Sequence, residues 1–245
     1  MTMTTLLVGA MLTLAPESAN AGRDGRIARN HFARGMKALD AGDTLAASVA
    51  FAKAAKEAPD WGLAHLQWGI AAQLYEPESS DVITALERAV ELDRENARAN
   101  YHLALAYERS GRHQEAATHL QQTLRARPDY PRARFTLARN LAASGDDTAA
   151  VEAYHQVLGR EARHTGALVA LADIYERTGR TEAAEAMLRR LTVFYHGVPY
   201  HHLRLARFYD RIGDAERARE ARDVAESLNP KPKRTMRPLR KRRRR

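Results

Sequence analysis

The stretch Leu103-Ala104-Leu105-Ala106-Tyr107-Glu108-Arg109-Ser110-Gly111-Arg112-His113-Gln114-Glu115-Ala116-Ala117-Thr118-His119-Leu120 decides the fold. Leu103, Ala104 and Tyr107 fall at helical spacing. Gly111 then ends that helix, because glycine enters the left-handed conformation of a helix C′ position without a Cβ clash. Ala116, Ala117, Leu120 and Leu124 draw a second apolar stripe, and Pro128 stops it, since proline cannot continue a helix. The segment reads as two amphipathic helices joined by a tight turn. Ala104 and Ala116 are small where the paired helices should approach most closely.

Outward from this segment the same signals return on a 34-residue ruler. Gly111, Gly145, Gly179 and Gly213 keep it, as do Ala116, Ala150, Ala184 and Ala218, and Leu103, Leu137, Leu171 and Leu205. A fixed period of this length marks one supersecondary unit copied along the chain, the signature of a solenoid. The question therefore moves from which reaction to which partner.

At this point the chain resembles the tetratricopeptide repeat family. The family pattern is a Leu-Gly/Ala pair, a Tyr, a turn Gly, an Ala, a bulky apolar residue and a closing Pro. The third unit supplies Leu103-Ala104, Tyr107, Gly111, Ala116, Leu120 and Pro128. The fourth has Leu137-Ala138, Leu141, Gly145, Ala150 and Tyr154; the fifth Leu171-Ala172, Tyr175, Gly179, Ala184 and Leu188; the sixth Leu205-Ala206, Tyr209, Gly213, Ala218 and Pro230. The first two units are fainter but in phase, through Gly35, Gly42, Ala47, Phe51, Ala54 and Pro59, then Trp68-Gly69 and Leu86 to Ala89. One extra residue in the loop between Leu74 and Asp81 shifts the frame. The resemblance implies an all-α, right-handed solenoid of six stacked helix-turn-helix units, over about residues 28–61, 62–96, 97–130, 131–164, 165–198 and 199–230.

The pattern breaks at its ends. Arg222 stands where other units carry Phe51, Leu86, Leu120, Tyr154 and Leu188, and Arg34 where later units carry Trp68 or Leu103. A terminal repeat has no neighbour to bury its outer face, so charge belongs there. Both are read as capping residues, with a binding role as the alternative.

Composition sets further bounds. The 245 residues are 44% hydrophobic, enough for a continuous core if repeats stack. There is no cysteine, which removes disulfides, thiolate nucleophiles and Cys-type zinc sites. The net charge of +9 equals the ten bases of the tail, Lys231 to Arg245, less the one acid, Glu17, of the N-terminal segment. Residues 22–230 are neutral as a set, so the basic character belongs wholly to the tail.

The N-terminus reads as a cleaved signal peptide over residues 1–21. Leu6 to Ala15 is an apolar run too short to span a bilayer, and Ala19-Asn20-Ala21 fits a small-x-small cleavage site. Met1 to Thr5 lack the usual Lys or Arg, which leaves a misplaced start or a frayed extension of a cytoplasmic protein as alternatives. The tail carries Lys231, Lys233, Arg234, Arg237, Arg240, Lys241, Arg242, Arg243, Arg244 and Arg245. Such density repels itself and predicts disorder. Its candidate ligands are polyanions: nucleic acid, anionic lipid head groups, acidic protein surfaces or, for an exported chain, another envelope polyanion. The alternative is a solvated tail with no dedicated partner.

The resemblance implies a concave groove lined by the second, fifth and ninth residues of each unit's first helix. The fifth-position column is Phe32, Leu66, Tyr101, Phe135, Val169 and Leu203; the ninth is Met36, Ile70, Leu105, Arg139, Asp173 and Arg207. Arg98, Arg132 and Tyr200 sit at second positions. The groove is thus apolar in its first half and of mixed charge in its second, which suits a peptide with regularly spaced anchors. For each apolar member, packing between adjacent helices is the alternative. Some family members clamp a chaperone C-terminus with Lys and Asn; Phe32 and Met36 stand at those positions, so that clamp is not expected.

Catalytic motifs are missing. There is no Gly-rich phosphate loop and no Gly-x-Ser-x-Gly elbow. His196, His201 and His202 cluster in sequence but lack metal-site spacing and read as surface residues. No metal, cofactor or small-molecule substrate is expected. The sequence predicts a non-enzymatic scaffold or adaptor that binds a peptide or protein in the groove, exported to the periplasm or bacterial cell envelope. The alternative is a cytoplasmic nucleic-acid- or ribosome-associated protein that uses the tail.

Overall fold

The computed structural model describes residues 22–130 and 132–228. The expected signal segment over 1–21, Pro230 and the tail over 231–245 lie outside the described residues. Within the described residues the chain is all-α, with twelve helices and no strand. They form six antiparallel hairpins: α1 (Gly22–Asp40) with α2 (Thr44–Glu57), α3 (Gly62–Tyr75) with α4 (Ser80–Leu92), α5 (Ala97–Arg109) with α6 (His113–Ala126), α7 (Ala133–Ala143) with α8 (Asp147–Arg160), α9 (Thr165–Arg177) with α10 (Thr181–Phe194), and α11 (Pro199–Arg211) with α12 (Ala215–Leu228). The first helix begins at Gly22, ahead of the start near residue 28 that the repeat frame predicts.

The chain divides into two compact units, Met1–Val157 and Leu158–Arg245, with the boundary inside α8. In the first unit each helix from α1 to α7 packs on the next in sequence; in the second the same holds from α9 to α12.

The turns are built as the sequence predicts. Gly111 has φ +72°, its N–H reaches the carbonyl of Glu108 at 3.1 Å, and the N–H of Arg112 reaches that of Tyr107 at 2.8 Å. These two bonds satisfy carbonyls that the end of α5 would leave unpaired, in a Schellman motif. Gly42, Gly145, Gly179 and Gly213 also have positive φ and carry the same pair of bonds. The second hairpin has no turn glycine. It closes through Glu76 to Ser79, and Leu74 and Tyr75 stay exposed at the end of α3.

Close approach inside each hairpin comes from the small residues. A Cβ at Gly35 would sit 2.7 Å from the Phe51 ring, and one at Gly69 2.5 Å from Leu86 Cγ. The later hairpins carry Ala104, Ala138, Ala172 and Ala206 at that position, all buried. In the first unit the core gathers Phe32, Phe51 and Trp61, then Leu66, Leu86, Leu103 and Leu120. In the second it gathers Leu168, Leu171, Leu188 and Leu191 with Leu205, Phe208 and Tyr209.

Buried polar side chains tie the first unit together. Asn100 donates to the carbonyls of Arg94 and Asn96 and pairs with His119 Nδ1 at 2.9 Å. Asn140 donates to the Thr136 carbonyl at 2.9 Å and pairs with His113 Nδ1 at 3.0 Å. Gln73 makes a two-bond contact with His102, to the ring at 3.0 Å and to the backbone carbonyl at 2.9 Å. Each group finds a partner, as a buried polar group must if it is not to cost stability. At the far end Arg222 is exposed and pairs with Asp210 at 2.6 Å, so the outer face of the last hairpin carries charge where its counterparts carry core residues.

Candidate functional site

The first helices of the hairpins carry the predicted groove positions, and the structure sorts them into three groups. Phe32, Met36 and Leu66 are buried in the core. Gly35 admits Phe51, whose ring meets Phe32 edge-on at 5.2 Å, while Trp61 stacks on its other side at 4.6 Å. The packing alternative therefore describes these three.

In the first unit the accessible positions run from α3 to α7. Ile70, Tyr101, Leu105 and Phe135 are half-buried, and Arg98, Arg132 and Arg139 are exposed. Tyr101 is held by Tyr130, with ring centroids 4.8 Å apart. Arg139 grips Glu108 of the preceding hairpin with two bonds, Nε to Oε1 at 2.7 Å and Nη2 to Oε2 at 2.8 Å. Its guanidinium also lies 5.9 Å from the Phe135 ring. The pairing with Glu108 holds Arg139 above the ordinary arginine range.

Arg132 has an unusual backbone for a non-glycine residue, with φ +62° and ψ −15° at the N-cap of α7. A left-handed residue with a Cβ costs about 1–2 kcal/mol. Its carbonyl accepts from the Thr136 N–H at 2.9 Å and the Thr136 hydroxyl at 3.0 Å, which holds the conformation.

In the second unit Val169 is half-buried, and Asp173, Tyr200, Leu203 and Arg207 are exposed. An open cleft between α9 and α11 brings Asp173, Tyr200 and Arg207 together with Glu176, Arg204 and Arg211. Arg204 donates to Asp173, and Arg211 donates to Glu176.

Sequence reasoning missed several members of these faces. Tyr130 lies outside the three groove columns, in the loop before α7, yet it supports Tyr101. Arg204 and Arg211 sit one helical turn either side of Arg207, a spacing that could have flagged them. His201 is buried, not a surface residue, and its Nδ1 has no hydrogen-bond partner. His202 Nε2 lies 3.0 Å from the carbonyl of His196.

The repeat tyrosines do structural work. Tyr107 donates to Glu87 at 2.6 Å, and burial together with that bond pushes its hydroxyl up to about 12. Tyr209 donates to Glu185 at 2.9 Å. Arg34 is exposed on the wall of a shallow hollow with His31, Val49 and Lys53. Among the described residues no group of three or more His, Cys, Asp or Glu is placed to hold a metal ion, and no helix is long and apolar enough to cross a membrane.

Comparison with known proteins agrees with the repeat. Two tetratricopeptide repeat profiles match, over residues 83–131 and 141–202. Cellulose synthase operon protein C of Xanthomonas axonopodis pv. citri (strain 306) is 36% identical over 72 residues, which is 29% of this chain and 5% of that protein. The chain thus spans only a small part of the curated relative it matches. The crystal structure of YrrB, described as a TPR protein with an unusual peptide-binding site, is similar at TM-score 0.60 and 18% identity, covering 74% of this chain and 92% of that one. PilW, a widely conserved type IV pilus biogenesis factor, is similar at TM-score 0.60 and 18% identity, covering 87% of this chain and 97% of that one. These two likenesses speak for the fold. The period, the glycine turns and the two profile matches show that this chain carries tetratricopeptide repeats.

Proposed function

We propose that this protein is a non-enzymatic adaptor that binds a peptide or protein segment along the face of its first helices. The observation that carries the reading is a repeated pair of positions in the first unit. Tyr101 and Phe135, one repeat apart, offer half-buried rings, and Arg98 and Arg132, also one repeat apart, stand exposed at the starts of the same helices, Arg98 second in α5 and Arg132 at the N-cap of α7. Aromatic and arginine side chains dominate binding energy at protein interfaces. Rings already held in place lose little freedom on binding, and Tyr130 holds Tyr101.

The site of action we favour is the bacterial cell envelope. Support comes from the apolar run Leu6 to Ala15 with Ala19-Asn20-Ala21 behind it, and from the likeness to PilW. The intact mass of the protein from its native host tests this part: a chain that starts at Gly22 is expected, and one that starts at Met1 contradicts export.

Binding is tested by selecting peptides from a displayed random library on the full chain. The selected peptides are then measured against the double substitution Tyr101→Asn with Phe135→Asn. A loss of at least about tenfold is expected for two such contacts. Unchanged affinity with an intact helical spectrum would refute the face. Deletion of residues 231–245 should leave the affinity as it is; loss of all binding on deletion would favour the polyanion reading of the tail.

A further inference from the structure

The cleft between α9 and α11 holds three arginines and two carboxylates, and the way they pair leaves one cation over. Glu108 and Arg139 in the first unit stand two full repeats before Glu176 and Arg207. In the first unit that pair is closed by two hydrogen bonds. In the second, Glu176 is taken by Arg211 and Asp173 by Arg204. Among the described residues Arg207 has no ion-pair or hydrogen-bond partner, and it is exposed.

We propose that Arg207 is the anchor of a subsite for a peptide carboxylate, and that the subsite selects partner segments in which an acidic residue adjoins an aromatic or aliphatic one. Three features favour this occupant. First, a guanidinium with no internal partner has free N–H donors in the planar fork that matches a carboxylate. Second, Tyr200 and Leu203 are exposed on α11 within one or two turns of Arg207, so an apolar side chain beside the carboxylate has a surface to cover. Third, the charge count suits a single carboxylate better than a phosphate backbone. Asp173 is 59% exposed at the same cleft and would repel a polyanion that ran along it.

The pairing also predicts how the subsite is tuned. Glu176 and Asp173 each hold an arginine that lies beside Arg207 in the cleft. Removing either charge releases a second cation to the ligand, so both acids limit affinity.

The inference rests on the adaptor reading proposed above and concerns the first helices of the second unit. The test titrates the full chain with acetyl-Glu-Phe-amide and follows the arginine side-chain N–H signals by NMR. Saturable shifts at Arg207 are expected. Acetyl-Gln-Phe-amide should bind about tenfold more weakly, the worth of one charge-assisted hydrogen bond. Arg207→Gln should weaken the acidic probe as much, Glu176→Gln should tighten it, and Arg125→Gln, on a second helix outside the proposed face, should leave it unchanged. Equal binding of the two probes, or an Arg207→Gln protein that binds like the parent, overturns the subsite. Tighter binding of an oligothymidylate through Arg207 than of the acidic probe overturns the ligand class. If the acidic probe fails while library peptides still depend on Tyr101 and Phe135, this inference falls and the adaptor reading stands. If the acidic probe binds through Arg207 and the Tyr101 and Phe135 substitutions change nothing, the first-unit face falls instead.

Discussion

Glu108 with Arg139, and Glu176 with Arg207, are one pair of repeat positions seen in two regions of the molecule. In the first unit the arginine is held by its glutamate and lies near the Phe135 ring. In the second, the glutamate has turned to Arg211 and the corresponding arginine is exposed with no partner among the described residues. The difference teaches that a repeat copies positions, while the chemistry at a position depends on which neighbours the adjoining helix brings. The first unit offers rings and settled charge; the second offers an unsettled cation beside exposed Tyr200.

The largest expected effect separates the two units by acid. Burial, with Arg98 and Arg109 adding to it, pushes His102 down to about 4. Burial also lowers His65 and His119 in the first unit and His201 in the second. Between about 4 and the ordinary 6.5 the unfolded chain then binds the proton that folded His102 refuses, so stability is fully present above that window and falls as pH drops through it. The share of His102 is at most about 3 kcal/mol. Urea unfolding at a series of pH values should show the acid slope flattened more by His102→Gln than by His201→Gln. Equal slopes in parent and His102→Gln proteins would break the comparison.

The ion pairs supply a smaller effect. Glu108 is only 17% exposed, and Arg139→Gln leaves it without its two bonds. A loss of about 1 kcal/mol is expected, the upper end for a partly exposed bidentate pair. Arg207→Gln should change stability by less than about 0.5 kcal/mol, as for a surface residue with no partner. Thermal unfolding of the two variants side by side measures the contrast, and equal losses would mean that Arg207 is held after all.

The smallest effect sharpens the role of Arg132. Glycine removes the Cβ clash at φ +62°, so Arg132→Gly should hold stability or raise it by up to about 1 kcal/mol. The same change should weaken the selected peptides, because an exposed cation of the face is gone. A protein made less stable by Arg132→Gly would show that the side chain, not the backbone, fixes the start of α7.

Much of the fold was legible because the repeat writes it several times over. The glycine ruler predicted the positive-φ turns, and the alanine columns predicted the close helix contacts. The first two repeats, though faint, are in phase because Gly35 and Gly69 do for their hairpins what Ala104 does later. The candidate site was legible only as columns. A column does not say how deeply its members sink, and so Phe32, Met36 and Leu66 were expected in a groove and lie in the core. Nor does it choose between partners one turn apart on the same helix: whether Glu176 meets Arg207 or Arg211 is settled by where α11 lies beside α9. The Gln73–His102 contact bridges residues off the repeat period, which a search for period-matched pairs passes over.

The central claim is that a partner segment lies on the face of the first helices. The most direct test is to map a library-selected peptide onto the full chain by amide and side-chain NMR shifts. The account predicts shifts concentrated at Tyr101, Leu105, Phe135 and Arg139 on α5 and α7. Shifts concentrated instead on the second helices, at residues such as Thr118 and Arg125 of α6, would contradict it.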